Sequence, residues 1–189
     1  LADGLLAQMM ESVELGDGAS PGELPPKNWA LTGARGRPRR VIHSIAFDPE
    51  ELERFNLKLE GKYQEIRERE RRFELKGDEG ELLIIAFGTA ARMAGTAQER
   101  AREEGLEVSL FRPITLWPFP YEELAREARG YRRCLVLEMS LGQMYEDVLI
   151  ALPERQGLEF YGRTGGVIPS VSEILGKVRA MLKGAEALR

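Results

Sequence analysis

From about residue 80 onward the sequence predicts an α/β fold, an open and mostly parallel sheet covered by helices on both sides. Three observations predict it. The run 82–87, Leu-Leu-Ile-Ile-Ala-Phe, is apolar at every position, as in a strand buried on both faces. Glycines stand where helices must stop, at Gly105 and Gly130. Short apolar runs alternate with longer helical stretches, the order that builds parallel βαβ units.

Taken in order, residues 1–15 read as the tail of something else. Leu1, Leu5, Leu6, Met9 and Met10 take helical spacing from the first residue. The chain starts without methionine, so a piece of a longer protein is expected. Residues 16–48 are punctuated by Gly16, Gly18, Pro21, Gly22, Pro25, Pro26, Gly33, Gly36 and Pro38, too often for regular elements. Trp29, Leu31, Val41, Ile42, Ile45 and Phe47 are too apolar for a free linker. An ordered connector lying along a surface is expected, with a short strand at 41–47.

Asp48-Pro49-Glu50-Glu51 starts a helix: a good N-cap, proline at the first helical position, then acids near the positive end. The helix is expected to run from 49 to about 73. Leu52, Leu59, Ile66 and Phe73 recur every seven residues with Phe55 and Tyr63 beside them, and the other faces are charged. One thin apolar line points to a helix laid on a partner domain or subunit, or else to a solvated spacer.

Strand 82–87 leads through Gly88-Thr89 into a helix ending near Glu104. Strand 106–111 follows, then Phe111-Arg112-Pro113-Ile114-Thr115-Leu116-Trp117-Pro118-Phe119-Pro120. The prolines forbid helix and central strand. Trp117 and Phe119 therefore sit on stiff, extended backbone, either packed into their own domain or facing a neighbour. Helix 121–129, strand 133–138, helix 142–152 and strand 158–161 come next. After the turn Gly162-Arg163-Thr164-Gly165-Gly166, Pro169 and Ser170 open a last helix to about Lys183.

The net charge is −4 from 27 basic and 31 acidic side chains, which opposes general nucleic-acid binding. No apolar run approaches the ~20 residues of a membrane span, and nothing reads as a signal peptide. A cytoplasmic protein is expected. One cysteine, Cys134, lies in an apolar run and reads as a buried thiol. One cysteine and one histidine, His43, cannot assemble a cluster or structural zinc site.

Gly16-Asp17-Gly18 has the form of a thiamine-diphosphate and Mg²⁺ motif, but no Asn-Asn pair follows. Gly88-Thr89 could hold an anion on backbone N–H groups, or simply start a helix with Thr89 near the cap. The turn 162–166 leaves the same choice, with Arg163 as the charge. Arg35, Arg37, Arg39 and Arg40 suit a solvated loop or an acidic protein partner. Arg112 and Glu138 each end an apolar strand where open α/β sheets place functional groups. They are expected to pair with one another or to meet a neighbouring subunit. No nucleophile or ligand set accompanies them, so no catalytic, cofactor or metal residue is assigned.

Three blocks in order carry a resemblance: 111–120, then Leu137-Glu138-Met139-Ser140-Leu141-Gly142-Gln143-Met144 with Glu146-Asp147-Val148, then Phe160-Tyr161-Gly162-Arg163-Thr164-Gly165-Gly166. They resemble the C-terminal part of the alpha-type subunit of 2-oxoacid:ferredoxin oxidoreductases. Pro25-Pro26-Lys27-Asn28-Trp29-Ala30 and Leu57-Lys58-Leu59-Glu60-Gly61-Lys62-Tyr63 resemble the connector of the 2-ketoisovalerate branch. The resemblance implies that 1–15 ends a pyrimidine-binding domain. It implies a three-layer, transketolase C-terminal-like domain over 80–184, with a five-stranded sheet and one antiparallel strand, for which 72–76 is the candidate.

It also implies a complex that converts a 2-oxoacid, coenzyme A and oxidised ferredoxin to acyl-CoA, carbon dioxide and reduced ferredoxin. Thiamine diphosphate, Mg²⁺ and iron–sulfur clusters belong to that complex, none of them on this chain. The partners implied are a thiamine-binding beta-type subunit and ferredoxin-type or gamma-type subunits. Arg112, Trp117, Phe119, Glu138, Gln143, Met144 and Arg163 are the expected contact residues. Self-association through the proline loop and the helix is expected too.

Overall fold

The computed structural model describes residues 4, 5, 8–10, 12, 14, 26–78, 80–153 and 157–186. The Gly16-Asp17-Gly18 motif and most of the segment 1–15 lie outside the described residues. The chain forms two compact units, Leu1–Met9 with Glu65–Arg189, and Met10–Gln64.

The larger unit holds the expected sheet, in the order β1-β3-β2-β4-β5. The strands are β1 (Phe73–Lys76), β2 (Gly80–Ala86), β3 (Val108–Pro113), β4 (Tyr131–Glu138) and β5 (Leu158–Gly162). All neighbours are parallel except β1, which runs antiparallel to β3 with Phe73 opposite Pro113 and Glu74 opposite Arg112. Helices α2 (Gly88–Glu103) and α5 (Val171–Glu186) share one core with one face of the sheet. Helices α3 (Tyr121–Glu127) and α4 (Gln143–Ala151) share the other. Leu82, Ile84 and Leu135 face the first core; Leu83, Ile85, Phe111, Cys134 and Val136 face the second. This alternation explains why β2 is apolar at every position after its first two residues.

Local chemistry sets the boundaries. α2 ends in a Schellman motif: Leu106 N donates to Ala101 O and Gly105 N to Arg102 O, both at 3.0 Å. α2 begins at Gly88 with Phe87 in the cap position, so Thr89 is a buried residue of the first turn rather than a cap. α5 begins with a capping box. Glu173 N donates to Ser170 Oγ at 3.2 Å and Ser170 N donates to Glu173 Oε2 at 2.7 Å.

The turn linking β1 to β2 passes beside the start of β3. Gly77 has φ 101°, and a Cβ there would lie 2.5 Å from Ser109 Oγ. Asp78 O accepts from both Ser109 Oγ and Tyr131 OH at 2.6 Å, while Gln98 Nε2 donates to Lys76 O at 2.6 Å.

Helix α1 spans Pro49–Arg69, starting as expected: Glu50 N donates to Asp48 Oδ1 at 3.0 Å. It ends four residues short of the expected 73, because Phe73 belongs to β1 and stacks on Phe111, ring centroids 5.0 Å apart. None of its residues is buried. Residues 41–47 form no strand. Trp29, Leu31, Val41, Ile42 and Ile45 are exposed and Phe47 is 92% exposed. No described segment of the smaller unit offers these residues a ladder to join.

Candidate functional site

The parallel strands β2 to β5 all end at one edge of the sheet, and β1 starts there. The proline loop is fixed to that edge by backbone groups. Ile114 N and Thr115 N both donate to Arg72 O, at 2.9 and 3.1 Å, and Arg72 N donates to Thr115 Oγ1 at 3.0 Å. Thr115 Oγ1 in turn donates to Pro118 O at 2.9 Å. The Trp117–Pro118 peptide bond is cis.

The two aromatic rings of the loop part company. Phe119 is 2% exposed and joins the core with Leu124, Met144 and Val148. Trp117 is 55% exposed, with the Arg67 guanidinium 5.9 Å from its ring centroid. Trp117 forms one wall of an open groove of about 410 Å³ with Arg67, Arg71, Pro118, Tyr121 and Glu122. Arg71 reaches Glu122 at 3.3 Å and Glu123 at 3.6 Å. At the groove floor the Tyr121 hydroxyl donates to Asp147 Oδ1. Burial, then the hydrogen bond and charge of Asp147, push the phenol up to about 12.

Arg112 and Glu138 do not pair. β2 lies between β3 and β4, so two ~4.8 Å strand spacings separate them. Arg112 Nε instead binds Glu74 Oε2 at 3.0 Å across the antiparallel pair. Glu138 is 0% exposed and serves α4. Its carboxylate accepts from Met144 N at 3.0 Å, from Tyr145 N at 3.2 Å and from the Ser140 hydroxyl. Glycine at the N-cap, Gly142, has no side chain to do this. Gln143 is exposed beside it, and Met144 is buried at 3%. The side chains of Arg112, Trp117, Gln143 and Arg163 thus stay at least partly at the surface, while Phe119, Glu138 and Met144 are spent inside the domain.

Arg163 sits on the loop after β5 and holds Glu173 Oε1 at 2.9 Å. The N–H and hydroxyl of Ser170 and then the Arg163 charge keep the Glu173 carboxyl below its ordinary range. Gly162 is required by close approach, since a Cβ there would lie 2.5 Å from Ser140 O. Among the described residues no group of three His, Cys, Asp or Glu side chains converges to hold a metal. No described helix is long and apolar enough to cross a membrane.

Sequence reasoning missed Glu74, Ser140, Asp147 and Arg67. Glu74 follows once 72–76 is laid antiparallel to β3. A glycine N-cap on α4 leaves its first N–H groups open to an acceptor from elsewhere, here Glu138. Asp147 lies in the second family block, which marks it without giving its partner Tyr121, and Arg67 carries no local signal.

These features define an open α/β domain whose distinctive side chains gather at the C-terminal edge of the sheet. Residues 80–174 match the pyruvate:ferredoxin oxidoreductase core domain II family. The chain belongs to that family, the 2-oxoacid:ferredoxin oxidoreductases, as the three sequence blocks indicated. It is 39% identical over 180 residues to the ketoisovalerate oxidoreductase subunit VorB of Methanothermobacter thermautotrophicus, covering 95% of this chain and 51% of that one. It is 35% identical over 104 residues to the 2-oxoglutarate synthase subunit KorA of Methanothermobacter marburgensis, covering 55% and 28%. A solved 2-oxoglutarate:ferredoxin oxidoreductase from Magnetococcus marinus superposes with a TM-score of 0.63 at 20% identity, over 86% of this chain and 32% of that one. That likeness shows the fold. The chain spans about half the length of the ketoisovalerate relatives it matches.

Proposed function

We propose that this chain is the C-terminal assembly domain of the alpha-type subunit of a thiamine-diphosphate-dependent 2-oxoacid:ferredoxin oxidoreductase of the branched-chain type, working in the cytoplasm. The observation that carries the substrate class is the match to the ketoisovalerate subunit. It runs through 180 residues at 39% identity, against 104 residues at 35% for the 2-oxoglutarate subunit of Methanothermobacter marburgensis. The assembly role is supported by what the sheet edge holds: a fixed loop presenting Trp117, with Arg112, Gln143 and Arg163 at the surface. The iron–sulfur clusters are assigned to other parts of the complex, since the chain's one cysteine cannot ligate a cluster; thiamine diphosphate and Mg²⁺ are assigned elsewhere in the complex as the family resemblance implies. Partners are the beta-type and ferredoxin-type or gamma-type subunits, reached through Trp117 and its neighbours.

The test is viologen reduction by the complete complex with coenzyme A and each of three 2-oxoacids. A kcat/KM for 2-ketoisovalerate at least about tenfold above those for 2-oxoglutarate and pyruvate is expected, a difference of ~1.4 kcal/mol in transition-state binding. Equal values overturn the branched-chain assignment. Any reduction by the purified chain alone overturns the assembly role.

One observation favours a second reading, a domain that binds an anion. A cleft of about 220 Å³ beside the start of α2 is lined by Lys76, Arg92 and Arg112. Glu74, which faces both Lys76 and Arg112 at 3.9 and 3.0 Å, offsets part of that charge. Melting the chain with phosphate, nucleotides and coenzyme A separates the two, because a ligand of the folded state raises Tm. No shift is expected under the assembly reading.

A further inference from the structure

The smaller unit carries two opposed charge clusters, each set among exposed apolar side chains. Residues 26–47 hold five cations, Lys27, Arg35, Arg37, Arg39 and Arg40, and no acid. Arg40 Nη1 donates to Ala30 O at 2.8 Å and closes 30–40 into a loop, with a turn where Arg37 N meets Ala34 O at 3.3 Å. Arg35 lies in that turn, Arg39 follows it, and Lys27 lies just before the loop; all three are exposed and form no ion pair among the described residues. Trp29, Leu31, Val41 and Ile42 give the loop exposed apolar shoulders.

The start of α1 is the counterpart. Asp48, Glu50, Glu51 and Glu53 stand on its first turns around exposed Leu52 and Phe55. Arg54 offsets one of them, 3.9 Å from Glu50. Glu51 and Glu53 form no ion pair among the described residues.

We propose that these two surfaces dock on each other between two copies of the chain. The basic loop of one copy seats on the acidic, apolar start of α1 in the second, and the second returns the same contact. A two-fold axis uses each complementary pair twice, which is how a self-complementary interface closes. The charges set the register and steer the approach, and the apolar shoulders against Leu52 and Phe55 supply buried area. Nucleic acid is the poorer occupant, since α1 would repel its phosphates beside the loop that binds them. The proposal names the surface for self-association. It is read by mass rather than activity, so its failure leaves the 2-oxoacid reading untouched.

Sedimentation equilibrium over a concentration series tests it, with three forms of this chain: the parent, Lys27→Glu/Arg35→Glu/Arg39→Glu, and Glu51→Lys/Glu53→Lys. The parent is expected to dimerise, and more weakly as salt is raised. Each variant faces like charge across its own interface, so each is expected to dissociate about tenfold more readily. Mixed together, the two variants present opposite charges at both contacts, and a heterodimer of parent-like affinity is expected. A parent that stays monomeric overturns the proposal, as does a dimer that neither variant weakens. A mixture that remains monomeric while both variants keep the parent's circular dichroism also overturns it. Should either variant lose helix, the parent decides: a dissociation constant unchanged by salt overturns the proposal.

Discussion

The ends of β3 and β4 each bear one charge, and the protein handles the two in opposite ways. Arg112 on β3 stays at the surface and shares Glu74 with solvent, its side chain 46% exposed. Glu138 on β4 is fully dehydrated and is answered by two backbone N–H groups and a hydroxyl. The contrast follows from position in the sheet. β3 neighbours the short edge strand β1, whose Glu74 lies opposite Arg112. β4 lies under α4, whose first turn needs an acceptor that Gly142 cannot supply. A charge at a strand end is therefore not one kind of feature. Its worth depends on whether unsatisfied backbone lies above it.

The largest effect should come from Glu138→Ala. The buried Met144 N–H, the half-buried Tyr145 N–H and the Ser140 hydroxyl lose their acceptor, and the expected loss is about 3 kcal/mol. It should appear as a lower denaturant midpoint at unchanged slope. Glu138→Gln keeps an acceptor oxygen and should recover roughly half of that loss. If the alanine variant loses no more than an ordinary surface change, the contrast between the two strand ends collapses.

Next in size is Ser170→Ala, which removes the cap of α5 and should cost ~1 kcal/mol. The cap also gives a pH signature. Glu173 ionises below its ordinary range in the folded chain, so its contribution is present above the unfolded value and is lost as pH falls through the folded one. Stability between about pH 5 and pH 3 should fall less steeply in Glu173→Gln than in the parent. Identical slopes would mean that Ser170 and Arg163 do not favour the ionised form.

Arg112→Ala should cost no more than ~0.5 kcal/mol, the usual worth of an exposed pair. A midpoint shift comparable to that of Glu138→Ala would show that β3 and β4 are managed alike after all.

The smallest readout is the titration of Tyr121, held neutral to about pH 12 by burial and Asp147. An unfolded tyrosine ionises near ~10, so this contribution is present below that pH and is lost as pH rises through the folded value. Phenolate absorbance should include a late Tyr121 transition, which moves earlier in Asp147→Asn. An unchanged curve would sink the role of Asp147.

Much of the domain was legible because its signals are local. Leu82 to Ala86 read as a strand covered on both faces and Gly105 as the stop of α2, and both stand. The family blocks at 111–120 and 160–166 mark the loops that close the sheet edge. What escaped depended on partners distant in sequence. Strand order decided that Arg112 and Glu138 are two strands apart, and no property of either residue encodes that order. Phe73 misled because its seven-residue spacing from Ile66 is also compatible with a strand that begins just after the helix. The apolar residues of 41–47 promised a strand, but a strand exists only where another offers its edge. Trp117 and Phe119, two residues apart on one stiff loop, divide between solvent and core, which periodicity cannot distinguish.

The turn beside the start of β3 has a consequence for the order of events in folding. β1 and β2 are consecutive in the chain yet never touch as strands, because β3 lies between them. The groups that hold their turn come from Gln98, Ser109 and Tyr131, all synthesised later. β1 therefore leaves the ribosome first and has no berth until β3 has closed onto β2, a loop closure that must precede its own. It is expected to be the last of these three strands to gain protection in pulsed hydrogen exchange. Protection of Phe73 to Lys76 ahead of Val108 to Phe111 would reverse that sequence.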